Sequence, residues 1–176
     1  MTASRLTATG RHSDNALLGI YLNDHLAGVT GSVELARRTA ASHRGCGAGE
    51  ALDRLAVELA ADRAALRMIM AALGVPARRY KTSAAWLAEK AGRLKLNGSL
   101  WARSPLSSVL ELEMLQLGVD ATGAAWRTLR ELAEGDARLD KAQLAELLSR
   151  AQQQAGTLEE LRIRAASKAF TSPRTP

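Results

Sequence analysis

Three ionisable residues stand where apolar ones belong. His25 falls in the line Leu18, Leu22, His25, Val29, Val33, Ala36, Ala40. Asp62 falls in Leu52, Leu55, Leu59, Asp62, Leu66, Ile69, Leu73, and Glu113 in Leu106, Leu110, Glu113, Leu117, Ala121, Ala124. Each line steps by three and four, the period of one buried helix face. An acid on such a face costs free energy unless something pairs with it. Each of the three lies near the middle of its helix, and Glu58 is one turn from Asp62. If they share a level, one imidazole and two or three carboxylates make a ligand set suited to a mononuclear iron or manganese ion, with redox chemistry as its use. The same groups can instead form a buried histidine–carboxylate network that satisfies itself and fixes helix register. The second histidine usual in such metal sets is missing, which favours the network. No cofactor is then expected, with iron or manganese as the alternative.

What must position these residues is a set of helices. The chain has 176 residues, 47% of them hydrophobic but only six aromatic. Its core is therefore leucine, alanine, valine and isoleucine, and leucine and alanine are strong helix formers. Runs of β-branched and aromatic residues at period two are absent, so the fold class is all-α. Residues 1–12 read as a disordered arm, and Ser13 or Asp14 as the cap of a first helix reaching about His43. Asn23, Thr30, Glu34 and Arg37 take its outer side, and Gly28 and Gly31 suggest close contact with another helix. A glycine-rich turn, Gly45 to Gly49, makes the second helix an antiparallel neighbour. It starts near Glu50 and stops at Gly74, just before Pro76.

A long connection, 75–105, follows, with a short amphipathic helix expected over Thr82–Leu96. Ser104-Pro105 opens a third helix running to about Ala133, with Gly118 and Gly123 marking a place where it could break. Asp140 caps a fourth, reaching about Ala169. Residues 13–169 thus make one domain, with a frayed tail over 170–176. Helices of about 25 to 30 residues, roughly 37–45 Å each, joined short, long, short, make a four-helix bundle with its crossover between the second and third.

The formal net charge is +6. Between Arg78 and Arg103 lie seven basic residues against Glu89 alone, and the rest of the chain is balanced. Arg78, Arg79, Lys81, Arg93, Lys95 and Arg103, with Trp86 and Trp101 nearby, form a candidate anion-binding segment for phosphates, nucleic acid or an acidic partner. No nucleic-acid motif accompanies the charge, so a solvated polar face is the preferred reading. Cys46 has no partner cysteine, which rules out a disulfide or cysteine zinc site within one chain. There is no apolar signal core at the start and no run of about eighteen apolar residues, so a cytoplasmic protein without a membrane span is expected. No Ser-His-Asp order, phosphate loop or zinc spacing appears.

Four long helices with one crossover, and polar residues at mid-stripe, resemble the ferritin-like superfamily. The segments YLNDHLAG, AAWLAEKAGRLKLNG and SPLSSVLELEMLQLGV are similar to those of uncharacterised bacterial ferritin-like four-helix proteins, and the likeness spans about residues 14–169. The resemblance implies a glutamate on the first and third helices and Glu-x-x-His on the second and fourth. This chain offers Asp24 and His25 on the first helix and Glu113 on the third. Glu58 is followed three residues on by Ala61, with Asp62 at the fourth. Glu159 and Glu160 are followed three residues on by Arg162 and Ile163. Both histidines of the di-iron pattern are missing. The expected function is that of a non-catalytic or degenerate member acting as a helical interaction module, with a homodimer or protein partner. The alternatives are a metal-dependent redox or metal-binding protein using His25, Glu58, Asp62 and Glu113, and a polyanion binder using the crossover.

Overall fold

The computed structural model describes residues 3–45, 47–78 and 105–171, the side chains of residues 3–15 and 105 excepted. Among the described residues there are four helices and no strand: α1 Ala3–Ser42, α2 Gly47–Ala72, α3 Pro105–Leu132 and α4 Lys141–Thr171. The all-α four-helix bundle expected from the hydrophobic periodicity is the observed fold.

The punctuation of the chain explains most helix ends. α2 stops at Gly74, whose φ of 71° is open to glycine but strained for other residues. There the Val75 N–H donates to Met70 O and the Gly74 N–H to Ala71 O, the paired bonds of a Schellman cap, with Val75 and Met70 both buried. Asp140 caps α4, its Oδ1 accepting from the N–H groups of Ala142 at 2.8 Å and Gln143 at 3.2 Å. Pro105 is the first residue of α3, where its missing N–H is no loss.

The start of α1 differs from expectation. The helix begins at Ala3, so residues 3–12 of the expected disordered arm are instead its opening turns. No proline interrupts these residues, and Gly10 alone costs a helix only about 1 kcal/mol. An already nucleated helix therefore extends past Ser13 and Asp14.

Contacts between helices give their directions. Tyr21 Oη donates to Thr128 Oγ1 at 3.1 Å and Thr39 Oγ1 to Glu111 Oε2 at 3.3 Å, so α1 and α3 are antiparallel. Arg138, just before α4, donates to Leu73 O at the end of α2, so α2 and α4 are antiparallel as well. With two antiparallel hairpins, α2 and α3 run the same way, so the end of α2 and the start of α3 lie at opposite ends of the bundle. Asn23 holds the residues just after α2: its Nδ2 donates to Pro76 O at 3.2 Å and its Oδ1 accepts from the Arg78 N–H at 2.7 Å. Asn23 was expected on the outer side of its helix, yet it is buried because it satisfies these backbone groups. The short helix expected over Thr82–Leu96 lies outside the described residues.

The core combines Leu22, Val29 and Val33 with Leu52, Leu59 and Leu66, and on the other hairpin Leu115, Trp126, Leu144 and Leu158. α3 is rotated from the expected register. Its buried line is Val109, Leu112, Leu115, Val119, Thr122, Trp126 and Leu129, whereas Leu117 is 63% exposed. Two apolar faces compete on this helix, and the bulkier one, with Trp126, wins the interior.

α3 does not break at its glycines, which serve close approach instead. A Cβ at Gly118 would run into Ser32 Oγ and sit 3.3 Å from Ser32 Cβ, and one at Gly123 would touch Ala151 Cβ at 3.6 Å. Gly118→Ala is therefore expected to force α1 and α3 apart and to lower unfolding stability by about 1–3 kcal/mol. Ser32→Ala in the same chain should recover part of that loss in urea denaturation. A Gly118→Ala protein as stable as the parent would contradict the close crossing.

Candidate functional site

Asp62 is completely buried at the middle of α2. Its carboxylate is met from α4. Oδ1 accepts from Arg150 Nε at 2.9 Å and from Arg150 Nη2, and Oδ2 accepts from Gln154 Nε2 at 2.9 Å. Arg150 and Gln154 are one turn apart on the same helix face, which lets both reach one carboxylate. Arg150 is the residue that sequence reading missed. The available signal was an arginine flanked by Leu147, Leu148, Ala151 and Gln154, all of them buried. Its side chain remains 35% exposed, so the guanidinium spans the distance from solvent to the core. Gln154 Oε1 and Trp126 Nε1 are buried without a hydrogen-bond partner among the described residues.

The expected convergence of His25, Asp62 and Glu113 does not occur. Among the described residues no group of three or more His, Cys, Asp or Glu side chains is placed to hold a metal ion. Glu113 lost its inward place when α3 turned its bulkier face to the core. It is 45% exposed and lies 3.9 Å from Arg162, which also forks onto Glu159 with two bonds of 2.7 Å. It is ten residues from Gly123, which packs on Ala151 at the level of Asp62; ten residues of helix span about 15 Å. Glu58 is half-buried one turn before Asp62, while the Asp62 carboxylate is directed to α4.

His25 belongs to a different place. It lies at one end of an apolar groove of about 350 Å³ between α1 and α3, lined by Gly28, Val29 and Leu35 on one side and Met114, Leu117 and Ala121 on the other. Its ring meets Tyr21 edge to face, with centroids 4.4 Å apart. Partial burial pushes the imidazole below its ordinary 6.5, and neighbouring Asp24 opposes that shift.

Of the expected anion-binding residues, Arg78 is described and exposed. Arg79, Lys81, Arg93, Lys95 and Arg103, with Trp86, Trp101 and Cys46, lie outside the described residues. Among the described residues, no helix is long and apolar enough to cross a membrane. No family model, no curated protein and no solved structure matches the chain.

Two outcomes follow from this geometry. Arg150→Met leaves a buried carboxylate without its countercharge and is expected to lower stability by about 3–5 kcal/mol. Asp62→Leu combined with Arg150→Met should restore most of it, because no uncompensated charge remains. Guanidinium denaturation of the two variants checks this, and a small loss in Arg150→Met would contradict it. For His25 the sign runs from the lowered folded-state pKa: its contribution is intact above 6.5 and is lost as pH falls below that value. His25→Gln should therefore flatten the stability profile between about pH 7 and 5, and an unchanged profile would contradict the burial of this ring.

Proposed function

We propose that this chain is a non-catalytic helical interaction module of ferritin-like layout, acting through its outer surface. The observation that carries the reading is the α1–α3 groove, with Leu117 of its lining largely exposed. Apolar side chains left outside a bundle with a complete core mark places where another protein packs. The middle of the bundle supports the same reading. Both oxygens of Asp62 are engaged by α4, so the carboxylate acts as a structural acceptor. The antiparallel hairpins, with α2 and α3 running the same way, support the ferritin-like layout.

The groove fits the apolar edge of a partner helix, laid between two antiparallel helices as a third. A Cβ at Gly28 meets nothing within 4 Å, so a side chain added there enters the groove without disturbing the bundle.

The test has two arms. Titration with ferrous iron and with manganese, followed by elemental analysis, should show no stoichiometric binding. Near-stoichiometric metal that is lost in His25→Ala would overturn the non-catalytic reading. A photo-crosslinking amino acid at position 117 should give discrete protein adducts in the producing cell, and Gly28→Leu should suppress them. Adducts unaffected by Gly28→Leu would contradict use of the groove.

A further inference from the structure

α2 carries a second apolar face that is left exposed, with no described residue covering it. Leu52, Leu59, Leu66 and Leu73 recur every seven residues and are all buried. On the opposite side Val57, Ala61, Ala64, Met68 and Ala71 follow one another at steps of four, three, four and three, and all are exposed. Val57 is 71% and Met68 63% exposed. That alternation is the seam spacing of a helix that pairs with another helix.

We propose that this face pairs antiparallel with the same face of a second copy, making a homodimer about a two-fold axis between Ala61 and Ala64. Over Val57, Ala61, Ala64 and Met68 the order of sizes is its own mirror image: large, small, small, large. An antiparallel pairing sets Val57 against Met68 of the partner subunit and Ala61 against Ala64 of the partner subunit. The central alanines let the two helix axes approach closely. Such self-complementarity is what an isologous interface requires.

Charge complements the shape. The first half of this face carries Glu50, Asp53 and Glu58 with one base, Arg54, and the second half carries Arg63 and Arg67 with no acid. Antiparallel pairing lays the acidic half of each copy along the basic half of the other. A parallel pairing would set like against like. None of these six side chains has an ion-pair partner among the described residues. The inference rests on α2 alone and is independent of the α1–α3 groove, so either can fail without the other.

Sedimentation of the full chain tests it. A dimer is expected at about 100 µM that dissociates towards about 1 µM, since one helix pair is a small interface. Ala64→Glu, at an exposed position, should keep the helix content and weaken association at least about tenfold. Glu58→Arg should weaken it too, and adding Arg67→Glu should restore it. Oxidation of an Ala61→Cys, Ala64→Cys chain in a Cys46→Ser background should give a covalent dimer, and a single cysteine at Ala145 of α4 should not. A monomer at every concentration, or a dimer indifferent to Ala64→Glu and to the charge reversal, would overturn the proposal.

Discussion

A carboxylate with no access to water must find its partners inside the protein, and the arrangement of this bundle turns on where Asp62 finds them. Both partners come from α4, the helix across from α2. The interaction is directional in a way that apolar packing is not: a leucine line tolerates rotation and sliding, while a two-oxygen acceptor facing an arginine and a glutamine tolerates little. Whether the pair adds net stability over an apolar substitute is a separate matter. Its clearer effect is to set the level of one hairpin against the other. Arg138 reaching the end of α2 repeats that tie at the bundle's end, where the side-chain hydrogen bond to Arg138 holds Asp136 down to about 2.

Around that tie the bundle is asymmetric. Within each hairpin the helices bury large apolar faces together. Between α1 and α3 there is no room for a side chain at Gly118, where Ser32 lies, whereas a Cβ at Gly28 would meet nothing, and the groove runs past both. The same apolar abundance that fills the core is left over outside: α3 has a second apolar line through Leu117, and α2 a second through Val57 and Met68. Among the described residues nothing covers these second lines, and an exposed apolar line on a helix is a surface for another protein to pack on.

The legible parts of the structure were those written in local chemistry. Gly74 before Pro76, Asp140 as a cap, Pro105 at a first turn and the leucines of α2 each act within a few residues, so sequence suffices. Asp62 was recognisable as an anomaly, because an acid in a leucine line needs a reason. Its partner was not, since Arg150 sits beside the α4 stripe and only the relative level of two helices brings it within reach. Glu113 failed for a related reason. α3 presents two apolar lines, and periodicity cannot say which faces inward; the volume of Trp126 and its neighbours decides that. Asn23 was hidden differently: its role is set by backbone groups more than fifty residues away.

The most direct test of the account is nuclear magnetic resonance of the Arg150 side chain in the presence of manganese. Arg150 Nε–H, held by Asp62, should give a resolved, slowly exchanging signal at neutral pH that stoichiometric manganese does not broaden. An Arg150 Nε–H exchanging as fast as that of a solvent-exposed arginine, or one broadened by the ion, would show that Asp62 is held otherwise or that the centre of the bundle is a metal site after all.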